Sequence, residues 1–211
     1  MKKTKNRPTI LVIETLLVTL LMFLPIILHA LKVNTFPGFE IFIYILIGVS
    51  AYFAIKLSKV DIDFHWKNGK QFVVGICLAV GLSICLCLVP RLCHFSFAGH
   101  HIDFNFSGLL YNFAFFFLIV APVEELLFRV YYQKVFVGFF PKYKWVAVLL
   151  QALLFGLFHW IGSSYTQAIL FFGLGLVWGI FKEYIDEMHY PGIALSHGLY
   201  LFLNYVINLI F

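Results

Sequence analysis

The stretch Ala121-Pro-Val-Glu-Glu-Leu-Leu-Phe-Arg129 sets two carboxylates and a guanidinium inside an otherwise uncharged apolar run. Two histidines stand in later apolar runs, His159 closing Phe155-Gly-Leu-Phe-His159 and His197 within Ala194-Leu-Ser-His-Gly-Leu-Tyr200. A carboxylate with imidazoles can polarise a water as general base, and an imidazole can stabilise the oxyanion that results. The chemistry suggested is hydrolysis.

Helical spacing divides these groups. Glu125 and Arg129 are i and i+4, the spacing at which an acid N-terminal to a base pairs well. Glu124 is turned about 100° from Glu125 and is left to face something else. Each charge at the centre of a membrane helix costs about 2.5–3.5 kcal/mol even on the mild insertion scale, so three together need a compensating reason. A buried ion pair that ties helices together is the competing account of the motif. A lone membrane histidine, likewise, is ordinarily an interhelical hydrogen-bond partner. Two histidines and a carboxylate pair in one small bundle favour a shared site, because inward polar groups there must satisfy one another.

The elements that position these groups follow from composition. The chain has 211 residues, 62% hydrophobic and 12% charged, with a mean hydropathy of +0.94. A water-soluble domain could not hide that much apolar surface, so the class is all-α, a polytopic transmembrane helix bundle. At ~20 residues per span the length admits roughly six to eight helices. Seven apolar segments stand out, at 9–33, 37–58, 71–90, 107–133, 144–162, 166–182 and 190–211. One transmembrane domain over 1–211 is expected, with no separate soluble part.

With a cytoplasmic N-terminus and single crossings, 13 of the 15 Lys and Arg residues fall on the cytoplasmic side, and only Lys32 and Arg91 remain outside. That asymmetry predicts an N-in, C-out, multi-pass protein. The expected location is the plasma (inner) membrane of a prokaryote. It also assigns the net charge of +5 to topology, so nucleic acid is not an expected partner. Lys2, Lys3, Lys5 and Arg7 precede an apolar run too long for a signal h-region, which reads as a retained first helix. Glu14 lies shallow in that helix. The four cysteines form no CxxC pair and read as packing residues. His94, His100, His101 and Asp103 sit in an outer loop among phenylalanines, expected at the headgroup level. Pro25 and Pro122 should each bend a helix, whereas Pro191 opens one.

Depth sets a tension. Counted from the predicted cytoplasmic ends at ~1.5 Å per residue, His197 is roughly 10 Å deep, Glu124 roughly 15 Å and His159 roughly 22 Å. These meet only if helix ends shift, helices tilt, or Pro122 breaks the fourth helix.

The order Glu124-Glu125-xxx-Arg129, Phe155-xxx-His159, a helix with Gly173, Gly175 and Gly179, and a final helix with His197 resembles the CPBP family of intramembrane proteases. That family includes type II CAAX prenyl endopeptidases and bacteriocin-processing or self-immunity proteins. The resemblance covers about residues 107–205; the first three helices contribute no motif. It implies that Glu124 and His159 activate water, that Glu125 and Arg129 order the site, and that His197 helps stabilise the oxyanion. The family asparagine four residues after that histidine is here Leu201. Asn204, at i+7, and Tyr200 are the nearby candidates for oxyanion support.

Glu124, His159 and His197 would by chemistry make a three-ligand zinc set, but no HExxH or closely spaced ligand pair is present. The resemblance implies a glutamate-dependent mechanism, so no metal or cofactor is expected. The expected partners are the lipid bilayer and a membrane-tethered protein or peptide substrate; a prenylated CAAX peptide is what one branch of the family cuts. The alternative is a non-catalytic membrane scaffold or bacteriocin self-immunity protein that uses the same charges structurally, a reading Leu201 favours. An ion transporter is disfavoured by the uncharged run from Ser107 to Val123. Oligomeric state is not legible, since glycines pack helices within or between chains.

Overall fold

A computed structural model describes residues 7–31, 39–66, 68–97, 101–161 and 164–211. Lys2, Lys3, Lys5, Lys32, Lys67 and His100 lie outside the described residues, as do the side chains of Arg7, Glu14 and Pro25. All regular structure among the described residues is helical: α1 Arg7–Ala30, α2 Phe39–Ser58, α3 Gly69–Leu92, α4 Phe106–Phe139, α5 Lys144–Ile161, α6 Tyr165–Tyr184 and α7 Tyr190–Ile210. These are the seven expected segments, and five of them (α2, α3, α4, α6 and α7) are long and apolar enough to cross a bilayer. The chain is an integral, multi-pass membrane protein.

Burial is arranged for lipid rather than water. Gln71, Glu124, Glu125, Arg129, Gln133, Gln151, Ser196 and His197 are buried, while Leu16, Leu20, Phe53, Val73, Leu118 and Ile169 point outward. In a hydrocarbon solvent, polar groups must find partners inside and apolar ones can face out.

The largest departure from expectation is α4, which continues six residues beyond 133 and carries Lys134 on the helix rather than in a loop. The Lys134 ammonium donates to the Asp61 carbonyl at 2.7 Å. Nor does Pro122 break α4. Phe116–Val120, just ahead of it, is π-helical, with the Ala121 N–H on the Phe116 carbonyl, and Ile84–Leu88 stands in the same relation to Pro90. Widening the ladder before a residue that lacks an N–H lets the helix continue. A second π-helical stretch of α4, Leu126–Tyr132, follows the two glutamates directly.

Two close pairings frame the bundle, α5 against α6 and α3 against α7. A Cβ added to Gly175 would come within 3.1 Å of the Ala152 Cα, so α5 and α6 touch nearly backbone to backbone. Where α3 meets α7, a Cβ on Gly75 would lie 2.6 Å from the Gly192 carbonyl oxygen.

Candidate active site

Glu124 and Glu125 occupy the α-helical turn Ala121–Glu125, flanked on both sides by π-helical segments of α4, and both are buried. Glu125 Oε2 pairs with Arg129 Nε at 3.2 Å, the i, i+4 contact the spacing predicts. The guanidinium lies 4.3 Å over the Phe155 ring, 5.5 Å from Trp178 and 5.9 Å from Phe128. An aromatic box of this kind supports a weakly hydrated cation where few hydrogen-bond partners are available.

His197 joins the two carboxylates. Its Nδ1 is 2.8 Å from Glu125 Oε1, and its Nε2 is 3.7 Å from Glu124 Oε2. Trp178 supports the imidazole at 4.2 Å, and the indole N–H donates to Ser196 Oγ at 3.2 Å. On the same Glu124 oxygen, His159 Nε2 approaches to 3.9 Å. His159 Nδ1 is 2.9 Å from the Phe155 carbonyl. A carbonyl can only accept, so Nδ1 carries the hydrogen, and in the neutral ring Nε2 is a bare acceptor facing Glu124. Phe171 stacks on that ring at 3.6 Å. The FxxxH spacing therefore supplies both the aromatic under Arg129 and the carbonyl that orients His159.

The depth tension disappears once the helix ends are known. From Phe139, Glu124 lies roughly 22 Å in, the same as His159 from Lys144. Helix α7 opens already beside α4, because the Tyr190 hydroxyl donates to the Pro122 carbonyl at 3.0 Å. Two turns later it delivers His197 to the glutamates.

Sequence reasoning missed Tyr44, on α2, whose hydroxyl donates to Glu124 Oε1 at 2.7 Å. Helix α2 thus reaches the site although it carries no motif. A tyrosine in an apolar helix reads equally well as an interfacial anchor, so no local signal marked it. Tyr200, in contrast, is buried with its hydroxyl 3.8 Å from Cys87 Sγ, directed toward α3. Among the described contacts, neither Tyr200 nor Asn204 meets the carboxylates. Leu201 packs against the hydrophobic core.

Glu124 Oε2 and His197 Nε2 have no hydrogen-bond partner among the described residues. The separations of 3.7 and 3.9 Å exceed a direct hydrogen bond and suit a bridge through one water. Fold and site together define a class: a membrane-embedded helical hydrolase with a buried carboxylate and two imidazoles. Residues 106–205, α4 through most of α7, match the family described as type II CAAX prenyl endopeptidase Rce1-like. The protein is accordingly a CAAX protease-like intramembrane endopeptidase. No curated protein and no solved structure matches the chain.

Proposed function

We propose that the protein hydrolyses a peptide bond of a membrane-tethered protein or peptide, with Glu124 as general base, His159 as orienter of the nucleophile and His197 as oxyanion donor. The observation that carries this reading is the single oxygen, Glu124 Oε2, facing Nε2 of both histidines at one water's reach. A water there donates one hydrogen to Glu124 Oε2 and the other to His159 Nε2. Its oxygen attacks the scissile carbonyl carbon while the first proton passes to Glu124. His197, holding Nδ1–H on Glu125, presents Nε2–H to the developing oxyanion. Glu124 then returns its proton to the amide nitrogen as the C–N bond breaks, leaving a carboxyl group and an amine. Glu125 and Arg129 hold His197 in place, and Tyr44 fixes the Glu124 carboxylate.

An apolar cavity of about 310 Å³ opens beside Pro122, two residues before Glu124, and is lined among others by Phe117, Tyr190, Ala194 and Leu195. We assign it the apolar part of the substrate. Purified protein in lipid vesicles is to be given a peptide ending in an S-farnesylated CAAX sequence and the same peptide without the lipid. Mass spectrometry should find cleavage at one bond, preferentially in the lipidated peptide, and none with Glu124→Ala or His159→Ala. Full activity in both variants would remove the assignment.

A further inference from the structure

A second group of ligand-type side chains lies outside the site just described. Asp63 and His65 come from the segment between α2 and α3, and His189 caps the start of α7; their ligand atoms all lie within 4.8 Å of one another. Asp63 Oδ1 is the shared atom, 3.0 Å from His65 Nε2 and 3.0 Å from His189 Nδ1. Asp63 Oδ2 lies 3.0 Å from His189 Nδ1 and accepts from the Lys182 ammonium at 2.7 Å.

We propose that Asp63, His65 and His189 form a binding site for a divalent transition-metal cation, with Zn²⁺ the best fit. Two imidazoles and one carboxylate are the nitrogen and oxygen donors such an ion takes, and they leave a fourth position for water. Tetrahedral bonds near 2.0–2.1 Å put neighbouring ligand atoms about 3.3 Å apart, so the two 3.0 Å contacts need to open by only a few tenths of an ångström. Oδ1 faces both imidazoles, while Oδ2, equally close to His189 Nδ1, accepts from Lys182, which fixes the carboxylate plane as an outer partner does for a metal ligand. Access is open as well. The His65 side chain is 63% exposed, and a cavity of about 650 Å³ lined by Phe64, His65, Trp66, Asn68 and His189 leads to the group.

Asp63 and His189 are 126 residues apart, so a metal there would staple the α2–α3 segment to the start of α7. The Tyr190 N–H already bonds the Asp63 carbonyl at 3.2 Å along the same seam. Binding to the folded state alone must raise its stability by mass action.

The test uses tag-free full-length protein in detergent, with Zn²⁺ followed by calorimetry and Co²⁺ by its visible absorption. One ion per chain is expected at micromolar free metal, with a melting temperature that rises with Zn²⁺. His65→Ala and His189→Ala should each weaken binding at least tenfold, whereas Glu124→Ala should bind as wild type. His65 is exposed, so its variant should melt like wild type in metal-free buffer. The proposal is overturned if wild type takes up no metal at these concentrations, if uptake survives the double histidine variant, or if it is lost in His159→Ala instead. Loss of uptake in His159→Ala would place the metal at Glu124 instead; the other outcomes do not bear on Glu124 as a base, so the two readings are told apart.

Discussion

His197 touches both carboxylates of the motif, Glu125 through Nδ1 at 2.8 Å and Glu124 through Nε2 at 3.7 Å. In the proposed mechanism Arg129 acts through Glu125, which it shares with His197. Replacing it with Met strips the buried Glu125 Oε2 of its cationic partner and leaves His197 alone on the other oxygen, which should cost about 3–5 kcal/mol in thermal or denaturant unfolding. Combining Arg129→Met with Glu125→Gln should recover much of that stability but not activity, because His197 loses its charged partner. Tyr44→Phe removes a hydrogen bond to a carboxylate, worth about 1.5–3 kcal/mol. If the bond positions Glu124 for proton transfer, kcat should fall roughly 10–100-fold with KM nearly unchanged. At this scale the i, i+4 pair and the separate facing of Glu124 were legible, because helical spacing alone dictates them. Tyr44 was not, because its partner lies 80 residues away and a lone tyrosine carries no period.

The elements matter through their ends and crossings. The run 134–139, which holds a lysine and a glycine, reads as a loop, yet it extends α4 and brings Glu124 level with His159. Sequence patterns mark ends poorly because a single lysine on a helix can leave the membrane by reaching to a carbonyl, as Lys134 does with Asp61. The glycines of α6 separate in the same way. Gly175 abuts Ala152, whereas nothing lies within 4 Å of a Cβ built on Gly173. Gly175→Ala should therefore cost about 1–3 kcal/mol by overpacking. Gly173→Ala should be neutral or stabilise by up to ~1 kcal/mol through helix propensity, and melting curves of the pair decide this. Between α2 and α3, burial pushes the Asp63 carboxyl up, but hydrogen bonds and charge from Lys182 and His189 outweigh it and hold it at about 2. Its folded value is below the unfolded one of about 3.9, so its contribution to stability is complete above that value and is lost as pH falls through about 2. Asp63→Asn should flatten that part of the stability profile.

For the whole molecule, lipid is the solvent that explains both the exposed leucines and the buried charges. Composition made this legible, because a chain 62% hydrophobic and 12% charged has no other way to fold. The meeting of α2, α4, α5 and α7 around one carboxylate was not legible, since it depends on where four helices end and cross. Single crossings by all seven helices would place the termini on opposite sides, and the basic residues predict a cytoplasmic N-terminus. Reporter fusions at the two ends should therefore report a cytoplasmic N-terminus and an external C-terminus. The proposed mechanism rests endopeptidase activity on Glu124, and Glu124→Gln keeps its shape while removing its basicity. The most direct measurement is the single-turnover cleavage rate of that variant in lipid vesicles, beside its melting temperature. A loss of about 10²–10⁴-fold with unchanged melting is expected of a general base. Cleavage at the wild-type rate by a fully folded Glu124→Gln protein would contradict it.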